Sequence, residues 1–480
     1  MKTRKKIGLL LILSVAAAFA SEPDPDAAKL LIRHYLDPNV VASRNDHRNA
    51  AKEVHRLAAE GRALYRFLAA VGPAAEDIKL SDDKRREYAK LSLPQIKEAA
   101  DNGNALAAYL LAVHAYEIDK NPEKAKSLML KAALGGEPMA QNAIGLMMLN
   151  ESATVEQERA AGQWFRQAAA KGDANGEYNL AMLYLNGKGM PKDAAFATTL
   201  LKRAADKGNS NAMVSLGLVS QYGMAAAVCA ESALEWYRKA AELGNADGLY
   251  RLGLCRLKGF GCRKDEKEAA LNFCRAAESR HTGAELQIGI LYRDGIGLGA
   301  NNTKAIAWFS KAAHKGDAEA LFCLGQMVDK GHGIRKNEAN AFQFYKIAAD
   351  KGLARAQNAV AGCYYRGKGT AKDLKEAANY YRLAAEAGSA AAQNNLGMMN
   401  LRGDGMPKNP DIAAEWFGRA AKQNLPEAQF NLGMMYEKGS GVAKNREKAV
   451  ELCTAAAKAG NEDAKTWLLK NGYVSWIKEM

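Results

Sequence analysis

Apolar residues recur at helical spacing along most of the chain. In residues 317–352, Leu324 and Val328 lie four apart on one predicted stripe, and Ala341 and Ala348 lie seven apart on a second stripe. Spacings of three, four and seven residues are typical of one buried helix face. The segment carries no strand signal. The pattern therefore predicts two helices joined by a turn, a helix–turn–helix hairpin.

This hairpin pattern repeats with a fixed period of 36 residues. Nine consecutive blocks, 137–460, follow it without insertion or deletion, and a glycine closes every block except those ending at Arg280 and Asn424. A period of this size predicts an all-α solenoid built by stacking one unit, which favours a binding surface over an enzyme. Aspartate and asparagine are good helix N-caps, and they stand where the second helices are predicted to begin: Asp193, Asp265, Asn301, Asn337, Asp373, Asn409 and Asn445.

Alanines and aromatic residues share the predicted second helix. Three positions hold alanine in all nine blocks, and an aromatic pair such as Trp308-Phe309 stands between them in most blocks. Small residues let a neighbouring helix approach closely, so the rings are predicted to fill the core between helices. A ladder that stacks a ligand is the alternative.

These positions together form a recognisable motif. The pattern A-x-x-x-L-G-x-x-Y-x-x-G-x-G, followed by A-x-x-W/F-Y/F-x-x-A-A-x-x-G, resembles the Sel-one-like repeat (SLR), a relative of the tetratricopeptide repeat. Tyr292 and Tyr364 fill its tyrosine position. The match is strong over 137–460 and weaker over 104–136, where Asn121 and a following proline replace the turn glycines.

The resemblance implies a right-handed α/α superhelix of about ten hairpins over residues 104–460. By analogy with tetratricopeptide arrays, a protein or peptide would bind on the concave face, which the first helices line. The same side chains could instead be buried by tight winding, and the sequence leaves both possibilities open. The candidate binding residues on that face are Tyr178, Tyr250, Phe322, Phe430, Met398 and Met434.

The first 20 residues differ from the repeats. Basic residues precede an apolar run from Ile7 to Phe19, and a small-residue cleavage site follows at Ala20. This predicts a cleaved secretory signal peptide, with an uncleaved anchor as the alternative. The mature chain is therefore expected in the bacterial cell envelope, periplasmic or secreted, with no transmembrane span.

Two further segments lie outside the period. Residues 21–103 are predicted to form a helical N-terminal cap, and a small separate binding domain is the alternative. Residues 461–480 are predicted to form a C-terminal capping helix, because a solenoid needs its end faces covered. Within the first segment, 96–103 resembles the end of one more second helix. Helical patterns in that segment cover Asp26–Leu36, Asp46–Val71 and Ser81–Leu91.

The charge is basic. The formal net charge is +14 at pH 7, and it falls to +10 once the four lysine and arginine residues of the signal peptide leave. This excess favours anionic partners, and nucleic acid is not expected outside the cytoplasm. Residues 36 apart line up in a stack, so the last position before the first turn glycine predicts a basic row, which Asp294 interrupts. The alternative role of these cations is to interact with the dipoles at helix C-termini. The row consists of Lys258, Lys330, Arg366, Arg402 and Lys438.

A second predicted row of lysines precedes the second helices, and its alternative role is a solvated turn. The row consists of Lys192, Lys264, Lys336, Lys372, Lys408 and Lys444.

Cysteine chemistry is limited. Seven cysteines in an exported chain leave at least one unpaired. Two disulfides are conceivable, one between Cys255 and Cys274 and one between Cys229 and Cys262. The other three cysteines are expected to be small core residues.

Enzyme signatures are weak. Two S-x-x-K matches, 81–84 and 475–478, lie outside the repeats and lack an accompanying K-T-G. The glycine-rich segment 362–369 lacks the serine or threonine of a phosphate loop. No histidine shows metal-ligand spacing. The chain is expected to be no enzyme and to bind no cofactor and no metal.

Together these observations predict a non-enzymatic scaffold or adaptor that binds a protein or peptide in the bacterial envelope. One alternative is the binding of an acidic polysaccharide or another anionic polymer through the basic rows. A third is β-lactam binding or hydrolysis, which the resemblance to some secreted relatives implies.

Overall fold

The structure, a computed structural model, describes residues 82–150 and 152–473 together with Glu53, Val54 and Ala58. The described residues form twenty-two α-helices and no strand, which confirms the predicted all-α solenoid. Of these helices, none is long and apolar enough to cross a membrane. The chain divides into two compact units, an N-terminal unit of residues 1–281 and a C-terminal unit of residues 282–480.

The helices of the N-terminal unit are α1 (Asp82–Asp101), α2 (Ala105–Glu117), α3 (Pro122–Leu134), α4 (Pro138–Met148), α5 (Val155–Ala170), α6 (Ala174–Asn186), α7 (Ala194–Asp206), α8 (Ser210–Tyr222), α9 (Ala230–Glu242), α10 (Ala246–Lys258) and α11 (Glu266–Glu278).

The helices of the C-terminal unit are α12 (Thr282–Asp294), α13 (Asn302–His314), α14 (Ala318–Lys330), α15 (Glu338–Asp350), α16 (Ala354–Arg366), α17 (Leu374–Glu386), α18 (Ala390–Arg402), α19 (Pro410–Ala421), α20 (Pro426–Lys438), α21 (Arg446–Lys458) and α22 (Glu462–Lys470). From α2 to α21, even-numbered helices are the first and odd-numbered helices the second helices of ten hairpins.

Local sequence sets where each helix begins and ends. In the hairpin α14/α15, the Asp317 side chain accepts a hydrogen bond from the Ala320 N–H and caps α14. Gly331 then ends α14 in the left-handed conformation, with φ of 74°, which glycine adopts without a steric penalty. All seven predicted N-caps of second helices are confirmed, because each side chain accepts an N–H from the first turn. At the same position, Cys229 forms no capping bond.

The core lies between the two helices of each hairpin. The repeated alanines of the second helices are buried, apart from the half-buried Ala313, and the second aromatic of each pair, such as Phe309, is buried as well. The predicted core role of these rings is confirmed, while the first aromatic, such as Trp308, is half-buried. The first helix carries glycine where it meets the ring: a Cβ at Gly289 would stand 2.5 Å from Phe309 Cδ1.

Side-chain bonds also join successive hairpins. Asn179 donates to Asn142 at 2.7 Å in the N-terminal unit, and Asn431 donates to Asn394 at 2.9 Å in the C-terminal unit. These asparagines lie on neighbouring first helices. Hydrogen-bonded amides of this kind satisfy polar groups that the stack partly buries.

A buried carboxylate adds to these contacts in the N-terminal unit. Glu177 is completely buried on α6, and it pairs with Arg203 at 2.6 Å and with Lys207 at 2.8 Å. Arg203 lies on α7, the second helix of the same hairpin, and Lys207 directly follows its end. The Lys207 ammonium also donates to the Gly172 carbonyl of the preceding hairpin, so this cluster fixes one hairpin against the next.

The chain ends differ from the predictions in one respect. The helical pattern expected to stop at Leu91 continues as α1 through Pro94 to Asp101. This helix therefore includes most of the segment 96–103, which was predicted to be the end of a second helix. It continues because Ile96 and Ala100 are buried in the same core as Tyr88 and Ala89. The predicted C-terminal helix is present as α22, and its capping role stays a prediction. The predicted signal peptide and the patterns over 26–36 and 46–71 lie outside the described residues, apart from three helical positions.

Candidate functional site

The predicted binding residues of the first helices differ in exposure. Phe322 is buried and packs against Tyr345, with 5.5 Å between ring centroids, so it belongs to the core and is not an open binding position. Tyr250 is half-buried and stacks on His281 at 4.5 Å. Burial raises the pKa of the Tyr178 hydroxyl. The half-buried members of the predicted set are Tyr178, Tyr250, Phe430, Met398 and Met434.

The residues of the predicted basic row are exposed. Lys258 belongs to the N-terminal unit, and the other four cations belong to the C-terminal unit. None of the five pairs with a carboxylate of a described residue, whereas Asp294 pairs with Arg293 at 2.7 Å. All five end a first helix, where a cation interacts favourably with the helix dipole. The five cations thus suit the structural role at helix C-termini. Binding of an anionic partner by the row stays a prediction.

The second lysine row is partly used by the fold. Lys264 pairs with Glu266 at 2.7 Å, and Lys336 pairs with Glu338 at 2.8 Å. Lys372, Lys408 and Lys444 are exposed and form no ion pair with a described carboxylate.

A groove in the C-terminal unit brings the two predicted sets together. It lies between the first helices α16 and α18, has a volume of about 230 Å³, and contains Met398 of the first-helix set with Arg366 and Arg402 of the basic row. The other predicted residues, among them Lys330 and Lys438, do not line it. The remaining lining residues are Tyr365, Tyr381, Asn395 and Met399.

One arginine of this groove lies against a position that lacks a side chain, Gly362. The position of Gly362 carries an apolar residue or a glutamine in the other eight regular repeats: Leu146, Met182, Leu218, Leu254, Ile290, Gln326, Met398 and Met434. Without such a side chain, the Arg366 guanidinium folds back along α16. A Cβ at Gly362 would stand 2.9 Å from Arg366 Nη2. The glycine therefore allows the guanidinium to lie against the helix instead of reaching into solvent.

Hydrogen bonds fix the polar lining. The Tyr365 hydroxyl donates to Asp404 at 2.8 Å, and Arg402 Nη1 lies 3.5 Å from the same hydroxyl. Asn395 donates to Asn358 on the neighbouring helix at 3.2 Å. Neither arginine forms an ion pair with Asp404. The groove therefore presents two guanidinium groups that lack a carboxylate partner among the described residues.

The floor of the groove is apolar and buried. Met399 is 2 % exposed, and Met398 is half-buried beside it. Burial raises the pKa of Tyr381, and the nearby Arg366 guanidinium partly opposes this rise. Tyr381 is thus a neutral phenol at physiological pH. Apolar surface beside unpaired donors is the composition of sites that bind organic ligands.

The sequence did not single out Gly362, Tyr365 or Asn395 as site residues. The signal available was the register itself, since Gly362 departs from the apolar residues at its position in the other repeats. In the sequence alone, Gly362 counts only as the first glycine of the segment 362–369. The structure places Gly362 inside α16, so this segment is not a phosphate-binding loop.

The cysteines are free thiols in the structure. Cys229 is exposed, Cys262 and Cys274 are half-buried, and the other four are buried. Burial is the main cause that raises the pKa of Cys255, to about 11, and Cys262 adds to it. The two disulfides considered from the sequence stay a prediction, while the predicted burial of Cys323, Cys363 and Cys453 agrees with the structure.

Catalytic and metal chemistry gain no new support. The S-x-x-K match at 475–478 and the serine of the match at 81–84 lie outside the described residues. Within the part of the chain that the structure describes, no group of three His, Cys, Asp or Glu side chains is placed to hold a metal ion.

Comparison with known proteins agrees with the hairpin count. The family model described as the Sel1 repeat matches ten consecutive segments: 105–137, 138–173, 174–209, 210–245, 246–281, 283–317, 318–353, 354–389, 390–425 and 426–461. No curated protein matches the chain.

Two solved structures illustrate the similarity. A protective antigen of uropathogenic Escherichia coli with an SLR fold is 26 % identical, with a TM-score of 0.61, and the match covers 90 % of this chain and 91 % of that one. A Sel1 repeat protein from Oxalobacter formigenes is 28 % identical, with a TM-score of 0.51, covering 68 % of this chain and 93 % of that one. The chain belongs to the Sel1 repeat family.

Proposed function

We propose that this protein is a non-enzymatic scaffold that binds a segment of another protein on the face formed by its first helices. The observation that carries the proposal is the groove between α16 and α18, where half-buried apolar side chains and exposed guanidinium groups lie together. A repeat array contributes many similar surfaces, and its specificity comes from the few positions that depart from the repeat. Gly362 is such a departure.

A protein segment suits this groove better than a small substrate does. The lining offers an apolar floor and several hydrogen-bonding groups, but no nucleophile beside a general base. Peptides bind to helical repeats by placing side chains in pockets between helices, with main-chain groups bonded along the surface. The half-buried Phe430 and Met434 lie on the next first helix and extend the surface available to such a segment.

The proposed location is the bacterial envelope. It rests on the signal-peptide pattern of the first 20 residues. The E. coli relative is a protective antigen. A protective antigen is met by the immune system of the host, which fits a protein exported from the cytoplasm.

The second candidate function is the binding of an anionic polymer. The observation in its favour is the set of exposed cations without a carboxylate partner in the C-terminal unit: Lys330, Arg366, Arg402 and Lys438. Binding of this kind depends on summed charge and weakens steeply with salt.

Affinity capture separates the two candidates. The chain from residue 21 would be immobilised, exposed to envelope extract of the source bacterium, and washed at about 0.1 M and then 1 M salt, over which the Debye length falls from about 10 to 3 Å. We expect mass spectrometry to find a protein that stays bound in near-stoichiometric amount at high salt. Retention of acidic polymer alone, lost as the salt rises, would replace the proposal with the second candidate.

A further inference from the structure

We propose that the groove between α16 and α18 is a subsite for a carboxylate that stands beside an apolar side chain in a protein partner. The inference rests on the proposed function and names the chemistry of the segment that would be bound. The carboxylate would bind between Arg366 and Arg402, and the apolar side chain would lie on Met398 and Met399.

The arginines give the groove its preference for an anion. They occupy equivalent positions in successive repeats, line the same groove, and lack a carboxylate partner among the described residues. A guanidinium stays charged at any physiological pH, and its planar fork matches a carboxylate with two parallel hydrogen bonds. Elsewhere in the C-terminal unit the same position carries lysine or Asp294, so the paired guanidinium groups are particular to this groove.

The acidic group nearest to the groove does not neutralise it. The Asp404 carboxylate accepts the Tyr365 hydroxyl at 2.8 Å and forms no ion pair with either arginine. Its effect is to hold the tyrosine ring at the edge of the groove. The lining itself contains two cations and no carboxylate.

The shape of the groove selects against a uniform polyanion. Two methionines supply an apolar floor that a polysaccharide would leave uncovered. Methionine side chains are flexible and polarisable, so they adapt to aliphatic groups of different shape. A polymer would contact the four cations of the row alike, whereas a short segment would depend on the two arginines inside the groove.

The test uses the full chain from residue 21 and a random dodecapeptide library displayed on phage. Enriched sequences would be synthesised with a fluorescein label and titrated by fluorescence anisotropy at 0.15 M salt. The arginines would be changed together, Arg366→Gln with Arg402→Gln. The matched control removes the same charge outside the groove, Lys330→Gln with Lys438→Gln.

A second variant displaces the Arg366 guanidinium without changing the charge of the groove. Gly362→Leu introduces the side chain that other repeats carry, and its Cβ would displace only the flexible end of Arg366. Gly418→Leu is its control, because a Cβ at Gly418 meets no atom within 4 Å. Circular dichroism would establish that all variants remain helical.

We expect the library to enrich peptides with aspartate or glutamate next to an aliphatic residue. The arginine variant and Gly362→Leu should each weaken binding about tenfold or more, since the paired hydrogen bonds between guanidinium and carboxylate are lost. The lysine control and Gly418→Leu should stay within about twofold, since neither the lysines nor Gly418 line the groove.

Three outcomes would overturn the inference. If the enriched peptides lack acidic residues but Gly362→Leu still abolishes their binding, the carboxylate subsite is refuted and the scaffold function stands. Equal losses in the arginine and lysine variants would favour a polymer-binding row. Failure to enrich any peptide, together with no protein in the affinity capture, would refute the proposed function as well.

Discussion

Substituting Gly289 by alanine tests the packing rule on which every hairpin is built. The added methyl would stand 2.5 Å from both Phe309 Cδ1 and Cε1. Carbon atoms in optimal contact are about 3.5–4.0 Å apart, so the methyl lies more than about 1 Å inside that distance. Phe309 is fully buried, and the ring can yield only by displacing its neighbours. Overpacking of this kind costs about 1–3 kcal/mol.

A matched control separates the clash from helix propensity. Gly418 also lies inside a helix, but its added Cβ would meet nothing within 4 Å. Both substitutions gain the helix preference of alanine over glycine, about 0.5–1 kcal/mol, so that gain cancels when the two variants are compared. Gly289→Ala should therefore be less stable than Gly418→Ala by about 1–3 kcal/mol.

The assay is hydrogen exchange of the amides in the hairpin that carries each substitution, α12/α13 for Gly289→Ala and α18/α19 for Gly418→Ala, each compared with the wild type, with urea unfolding of the full chain beside it. Local exchange is preferred because repeat arrays can unfold in stages, which makes a single unfolding free energy ambiguous. Equal protection in Gly289→Ala and Gly418→Ala would refute the packing rule. Another repeat limits the expected cost of Gly289→Ala. There, Ala361 and Tyr381 occupy the positions of Gly289 and Phe309, and both lie in one buried cluster.

A second substitution provides an internal check. In the hairpin α6/α7, Ala181 and Leu201 occupy the two positions, and both are buried. Phe309→Leu should therefore cost less in the Gly289→Ala background than in the wild type, with a coupling of about 1 kcal/mol. Absence of this coupling would mean that the cost of Gly289→Ala arises elsewhere.

Three further predictions follow from single side chains. Glu177→Gln should lower the free energy of unfolding by about 1–2 kcal/mol, because the buried carboxylate loses its ion pairs with Arg203 and Lys207, whereas Glu235→Gln, in an exposed pair, should leave urea unfolding unchanged. Cys229→Asp should stabilise the chain by about 0.5–1 kcal/mol by supplying the missing N-cap, and Asn301→Ala should remove a similar amount; thermal unfolding with the opposite order would contradict the cap argument. Cys229 should react with a thiol reagent in the native protein. Cys453, whose pKa is raised to about 12 chiefly by burial, should react only after unfolding. A total of three thiols instead of seven in the unfolded, unreduced chain would establish two disulfides.

Much of the fold followed from the sequence because each repeat solves the same local problem. Asn337 and Gly331 set helix ends through backbone bonds within a few residues, so their type and spacing were enough. The paired alanine and aromatic positions, such as Ala341 and Tyr345, fixed the buried stripe in the same way. The helical pattern that ends at Leu91 is shorter than α1, because burial of the residues beyond Pro94 keeps the helix intact.

The groove could not be predicted from the same pattern. The groove is lined by residues of α16, α17 and α18, so it is a relation between neighbouring helices and not a motif. Met398 and the two arginines were each expected on a surface, but no sequence pattern places them in one site. Phe322 was expected on the same face, and its ring is instead taken up by the core contact with Tyr345.

We propose above that this Sel1 repeat array binds a protein segment at the groove between α16 and α18. The most direct test is calorimetric titration of a protein captured from the envelope extract into the wild-type chain, Gly362→Leu and Gly418→Leu. We predict that Gly362→Leu raises the dissociation constant about tenfold or more, because it displaces Arg366, and that Gly418→Leu leaves it within about twofold. Equal affinities for all three chains would contradict the proposal.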